Sequence, residues 1–138
     1  MDKKTAEERL RNAGLRVTPQ RLEVLLTLSN SKHPTAEYLI RKVRKKHNSI
    51  SASTIYNILD TFIGKGVISK IYIPGHVMRY DAMLEKHHHL YDADTNRIED
   101  YFDDELFELI QQYVQHKKIP GFEPDDIKIK LLGKFTDK

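Results

Sequence analysis

Ser51-Ala52-Ser53-Thr54-Ile55-Tyr56-Asn57-Ile58-Leu59-Asp60-Thr61-Phe62, then Gly64 and Gly66, then Val67 to Tyr80 broken by Pro74-Gly75: this stretch decides the fold. Ile55, Ile58, Leu59 and Phe62 recur at helical spacing behind Ser51, whose hydroxyl suits an N-cap. The glycines end the helix, and from Val67 to Ile73 the pattern changes to alternation. Pro74-Gly75 supplies a turn and Val77 to Tyr80 returns, which predicts a hairpin. A helix-turn-helix followed by such a hairpin has the parts of a winged helix, whose second helix enters the major groove of DNA. A basic helical domain without groove contact is the plainer alternative.

Working outward toward the N-terminus, the sequence predicts three more helices. Thr5-Ala6-Glu7-Glu8 has capping-box spacing, with Thr5 as the cap, and the helix it opens stops near Gly14. Thr18 caps the second, with Pro19 at its first position, and Leu22, Leu25, Leu26 and Ser29 mark its inner face. Pro34-Thr35-Ala36-Glu37 opens the third. Leu39, Ile40 and Val43 point inward there, while Arg41, Lys42, Arg44, Lys45 and Lys46 point outward as a basic face.

Beyond Asp81 the character changes. Short strands are expected at His88 to Asp92 and Arg97 to Asp100, around a polar turn at Ala93-Asp94-Thr95-Asn96. An acidic helix follows from Asp103 to His116, capped by Asp103 and Asp104, with Leu106, Leu109, Ile110 and Tyr113 on its apolar face. Ile127, Ile129 and Leu131 alternate as a last strand. Three strands and one helix bury too little apolar surface to stand alone, so this half is expected to pair with a copy of itself.

The chain of 138 residues therefore reads as α+β, an N-terminal winged helix-turn-helix domain (1–82, hinge about 80–86) and a small C-terminal α/β dimerisation domain (87–138). Charge supports the division. Residues 1–82 carry 15 Lys and Arg against 7 Asp and Glu, a net of +8, whereas residues 83–138 carry 8 against 13, a net of −5. The basic half attracts a polyanion by releasing its counterions; the acidic half repels one. With 39% hydrophobic and 31% charged residues the composition is that of a globular protein. No apolar run is long enough to cross a bilayer and no secretory signal precedes the first helix, so a cytoplasmic location is expected.

Chemistry concentrates at His87-His88-His89. In an extended segment His87 and His89 share a face and His88 takes the other. The chain has no cysteine, which excludes disulfides and a cysteine zinc site and leaves imidazole and carboxylate as ligands. Such a set suits iron, manganese, cobalt, nickel or zinc. Three adjacent solvated histidines are the bland alternative.

Five ordered motifs resemble the ferric uptake regulator family of metal-dependent bacterial repressors. They are Gly14-Leu15-Arg16-Val17-Thr18-Pro19-Gln20-Arg21, His33-Pro34-Thr35-Ala36-Glu37, Ile50-Ser51 with Thr54-Ile55-Tyr56, Arg79-Tyr80-Asp81, and His87-His88-His89-Leu90. The resemblance spans roughly residues 8 to 133. It implies a homodimer on double-stranded operator DNA, A·T-rich and palindromic. It also implies a regulatory metal site at His33, Asp81, His87, His89 and Asp100, taking Fe2+ or Mn2+, with Zn2+ a further occupant of purified protein. Asp100, in place of glutamate, resembles the peroxide-responsive branch. There ferrous iron and hydrogen peroxide oxidise ligand histidines, here His33 and His87, and DNA is released. A metal-concentration sensor without peroxide chemistry is the alternative.

Base and backbone contacts implied by the resemblance fall on Ser51, Ser53, Thr54, Tyr56 and Asn57. Arg16 is available to an A·T-rich minor groove. Asn57 stands where the family has arginine. It suits adenine, so the operator is expected to differ. Two family metal sites look absent: Lys86 and Ile127 replace histidines of a second site, and Asp92 and Thr95 replace the first cysteine pair of a structural zinc site, for which residues 133–138 offer no second pair. A hydrolase or oxygenase is disfavoured, because five protein ligands leave little room for substrate. A metal-independent architectural DNA binder is the remaining class.

Overall fold

A computed structural model describes residues 1–82 and 85–137. It divides into two compact units, Met1–Leu84 and Glu85–Lys138. Positions 83 and 84 of the expected hinge, and position 138 of the tail, lie outside the described residues.

The first unit contains α1 (Lys3–Asn12), α2 (Pro19–Ser29), α3 (Ala36–Lys46), α4 (Ala52–Gly64) and an antiparallel hairpin of β1 (Ser69–Ile71) and β2 (Arg79–Asp81). Two expected caps, Thr18 and Ser51, form as the sequence indicates, and Thr35 caps α3 in the same way; each accepts a hydrogen bond from the amide three residues on, at 3.1 Å. The cap of α1 differs from expectation: Asp2, not Thr5, is the N-cap, and its carboxylate accepts from the Thr5 amide at 2.8 Å. A carboxylate is the stronger acceptor and complements the helix dipole, so the helix starts one turn earlier.

Side chains from all four helices meet in one core. Leu10, Leu25, Leu28, Leu39, Ile55, Leu59 and Phe62 are fully buried within it, and Val67 and Tyr80 close it from the hairpin side. Each such side chain contributes on the order of 1.5–3 kcal/mol through removal of apolar surface from water. The face of α2 is turned relative to expectation. Leu22, Val24, Leu25 and Leu28 are buried, whereas Leu26 and Ser29 are only half-buried. This helix packs against α1, α3 and α4 at once, so its buried arc is wider than a single amphipathic stripe.

The second unit carries β3 (His88–Asp92), β4 (Arg97–Tyr101), α5 (Asp104–Lys117) and β5 (Lys130–Leu132) in a three-stranded sheet of order β4-β3-β5. Strand β4 runs antiparallel to β3, with His89 opposite Asp100, and β5 runs parallel to β3. The last strand is shorter and later than the alternation of residues 127–131 suggests. Its approach is held by a side chain instead: the Lys86 ammonium donates to Asp126 Oδ1 at 2.7 Å and to the Ile127 carbonyl at 3.1 Å, and lies 4.2 Å from the Phe107 ring centroid. Among the described residues of this unit, Tyr91 and Ile98 are the buried hydrophobic side chains. That is too small a core for independent stability.

Candidate metal centre and nucleic-acid interface

In the first unit, strand β2 is laced to the loop before α3. The Tyr80 amide donates to the Pro34 carbonyl at 2.9 Å, and Arg79 bridges Thr35 in antiparallel fashion. Strand alternation turns Tyr80 into the core and Asp81 to the opposite face. There Asp81 and His33, both buried, offer ligand atoms within 4.8 Å of each other. His33 has a left-handed backbone, φ 44°, a conformation that histidine adopts more readily than most residues.

In the second unit, the register of β3 on β4 sets His89 beside Asp100. His89 Nε2 is 3.5 Å and His87 Nε2 is 3.4 Å from the same Asp100 Oδ1. The two imidazoles meet edge to face, with ring centroids 4.8 Å apart. The other nitrogen of His87, Nδ1, is 2.6 Å from the Glu85 carbonyl. A carbonyl only accepts, so Nδ1 carries the proton. In the neutral imidazole this leaves the Nε2 lone pair directed at a carboxylate, an arrangement that a cation between the two relieves. Outer hydrogen bonding of this kind is how metal-binding histidines are normally held. The donor set of nitrogen and oxygen in both units thus fits a borderline or hard divalent ion.

His88 separates from its neighbours as alternation predicts. It is 2% exposed, stacks on Phe107 and has Nε2 3.2 Å from the Asp103 carbonyl, while its buried Nδ1 has no hydrogen-bond partner. It is part of the unit's interior.

Where the resemblance places a cysteine pair, the structure has a polar clip. Asp92 Oδ1 accepts from the amides of Asp94 and Thr95 at 2.9 and 3.3 Å, and its Oδ2 accepts from Phe135 at 3.4 Å. Burial alone raises the Asp92 pKa, but these amide bonds outweigh it and hold the carboxyl below its ordinary value. Arg97 donates to both oxygens of Asp137 at 2.8 and 2.9 Å and lies 4.0 Å from the Phe135 ring centroid. Residues 133–137 are thereby tied to the β3–β4 turn. Sequence reading missed this clip, and the only hint was an Asx-turn residue at Asp92.

The nucleic-acid candidates lie on α3, α4 and the loop before α2. On α4, Ile55, Ile58, Leu59 and Phe62 face the core, which turns Ser53, Tyr56, Asn57 and Asp60 to solvent. Ser51 and Thr54 are engaged with each other at the helix start, 2.9 Å between hydroxyls, and Ser53 lies 3.2 Å from Ser51. Tyr56, 47% exposed, and Asn57 are therefore the longer side chains available to base edges. Arg16 is exposed, and its carbonyl accepts from Arg21 at 2.9 Å. The basic residues of α3 are exposed as expected. No helix among the described residues is long and apolar enough to cross a membrane.

The profile of the Ferric uptake regulator family matches residues 12–132. The chain is 33% identical to the peroxide-responsive repressor PerR of Staphylococcus epidermidis, over 90% of this chain and 81% of that protein. Among solved structures it is similar to a zinc-bound manganese uptake regulator, with TM-score 0.69, 30% identity and coverage of 94% and 97% of the two chains. It is also similar to the Campylobacter jejuni peroxide stress regulator, with TM-score 0.73, 25% identity and coverage of 100% and 99%.

Proposed function

The chain belongs to the Ferric uptake regulator family, and from that premise we propose that it is a cytoplasmic, homodimeric repressor that senses hydrogen peroxide through iron. Members of the family bind DNA and function as dimers. The observation that carries the site is Asp100, whose one oxygen faces the Nε2 atoms of both His87 and His89. In this reading His33, Asp81, His87, His89 and Asp100 hold one divalent ion, Fe2+ or Mn2+. Ligands drawn from both units couple the DNA reader to the dimer base, so that loading selects the arrangement able to bind an operator.

Held by these residues, ferrous iron would supply the electrons that activate hydrogen peroxide. The net change is transfer of one oxygen atom to a ligand imidazole of His33 or His87 with release of water. An imidazole so altered is a poorer ligand, and its loss uncouples the units. Such a group lets a chain without cysteine register an oxidant, and the likeness to peroxide-responsive repressors supports the same branch.

The remaining parts have assigned work. Tyr56 and Asn57 read bases in the major groove, Ser51, Ser53 and Thr54 lie at the helix start nearest the phosphates, and Arg16 enters an A·T-rich minor groove. Dimerisation uses the apolar residues that the second unit leaves outside. Leu109, Tyr113 and Leu132 are 69%, 65% and 67% exposed.

The test is to treat iron-loaded protein with hydrogen peroxide and then measure operator binding and peptide masses. One added oxygen in the His33 or His87 peptide, together with lost binding, is the expected result. Unmodified peptides with intact binding remove the peroxide step. Reversible, metal-dependent binding that ignores peroxide would favour the second reading, a metal-concentration sensor, to which the likeness to a manganese uptake regulator lends support.

A further inference from the structure

Two arginines, neither of them a ligand, grip the main chain beside the His33–Asp81 pair. Arg79 Nη1 donates to the carbonyl of His33 itself at 3.2 Å. Arg9 Nη1, reaching from α1, donates at 2.5 Å to the carbonyl of Ala82, the residue that follows Asp81. Both ligands need such help. His33 lies in a bend with φ 44°, and Asp81 is the last residue of a three-residue strand. Neither position is fixed by a long run of regular backbone hydrogen bonds.

The strand geometry explains how one element serves two purposes. Positions 79 and 81 of a β-strand share a face. The guanidinium that holds the His33 carbonyl and the carboxylate beside the His33 imidazole therefore come from the same side of β2. The backbone of β2 completes the lacing through the Tyr80 amide and the bridge to Thr35. At the far end Arg9, half-buried with the pKa of its guanidinium lowered by burial, fixes the exit of the strand to α1. Arg9 has no expected role in the helix pattern of α1, whose buried residues are Ala6 and Leu10.

We propose that Arg9 and Arg79 are positioning residues that preorganise the His33–Asp81 half of the metal site by holding the main chain of each ligand segment. The inference rests on the proposed metal site. Guanidinium-to-carbonyl bonds keep their strength at any physiological pH, because arginine stays charged. Preorganisation matters because a ligand displaced by a fraction of an ångström no longer completes the coordination shell, and outer partners typically change metal affinity by roughly 10- to 100-fold.

Cobalt(II) titrated into the full-length protein, followed by its visible absorption bands, tests this. Arg9→Met and Arg79→Met keep the apolar stem and remove the donor. Each is expected to weaken cobalt binding about tenfold or more and to alter the bands, while far-UV circular dichroism of the metal-free protein stays that of the parent. Arg9→Lys, which retains a charged donor, is expected to recover affinity and native bands in part, a rescue that a bystander arginine does not give. Should Arg9→Met not fold, Arg79→Met and Arg9→Lys still decide the matter. Titrations that superimpose on the parent for these variants overturn the inference. Asp81→Ala, run in parallel, separates the two levels. Lost cobalt binding there with unchanged arginine variants removes only the positioning role, whereas unchanged binding in Asp81→Ala removes the metal site itself.

Discussion

Arg97 and Asp137, forty positions apart, are joined by a two-bond fork of 2.8 and 2.9 Å that closes the C-terminal tail onto the β3–β4 turn. The fork, the Phe135 ring beneath Arg97 and the three amides on Asp92 together form a tail clip. Its response to acid has a definite sign. Hydrogen bonding from Arg97 lowers the pKa of Asp137, and the amide bonds lower that of Asp92 against the opposing effect of burial. A depressed folded-state value means that the stabilisation is fully present above the unfolded value, near 3.9 for a model aspartate, and disappears as pH falls through the folded value. Carbon-13 NMR titration is expected to find both carboxyls below about 3.9. Arg97→Met should return Asp137 toward the ordinary value while Asp92, held by amides, stays low. A chelator should change neither. Two carboxyls titrating at the ordinary value would show that the tail is not clipped in solution.

Base reading by α4 is expected to rest on the two long exposed side chains. Tyr56→Ala and Asn57→Ala should each weaken specific operator binding by about 1–3 kcal/mol while leaving non-specific binding almost unchanged. Arg16→Ala should instead lower the slope of log affinity against log salt by about one, the mark of a lost phosphate or minor-groove charge. Gel-shift or anisotropy titrations on operator and on random DNA at several salt concentrations separate these behaviours. Equal losses on both DNAs for Tyr56→Ala would count against it as a base reader.

The core of the first unit makes a contrast within one helix pair. Leu59 is completely buried, so Leu59→Ala is expected to cost about 2–5 kcal/mol in urea unfolding. Leu26 is half-buried on α2, and Leu26→Ala should cost clearly less. Thr18→Ala removes the bond to the Arg21 amide and should cost about 1 kcal/mol, typical of an N-cap. A Leu26→Ala variant as damaging as Leu59→Ala would argue for the face of α2 read from the sequence.

What the sequence made legible was whatever it encodes locally. The cap and buried face of α4, the span of β3 from His88 to Asp92 and the separation of His88 from His87 and His89 all follow from residues a few positions apart. The α+β architecture with a winged helix followed by strands was legible for the same reason. The α1 start was misread because Asp2 competes with Thr5, and the strength of the two acceptors, not their spacing, decides it. Contacts such as Arg9 with Ala82, Lys86 with Asp126 and Arg97 with Asp137 join residues forty or more positions apart. No periodicity marks such pairs, and long charged side chains look alike in sequence whether they are solvated or clamped.

The exposed face of the second unit is the last feature with a measurable consequence. Helix α5 has no buried residue at all, although Leu106, Leu109, Ile110 and Tyr113 recur at helical spacing. Leu131 and Leu132 of β5 are 46% and 67% exposed. With Tyr91 and Ile98 its buried hydrophobic residues among those described, this unit leaves more apolar side chain outside than inside. Water penalises that arrangement by about 25 cal/mol for each Å² left uncovered, and a second copy of the chain would cover it by symmetry. Leu109 is 69% exposed, so Leu109→Lys places a charge on this face without opening a buried cavity. Sedimentation velocity is expected to show the parent as a dimer and Leu109→Lys as a monomer at micromolar concentration. Operator binding should fall with it, since the proposed palindromic operator would be read by two copies, while the far-UV circular dichroism of the chain is retained. A Leu109→Lys protein that stays dimeric would move the interface away from α5.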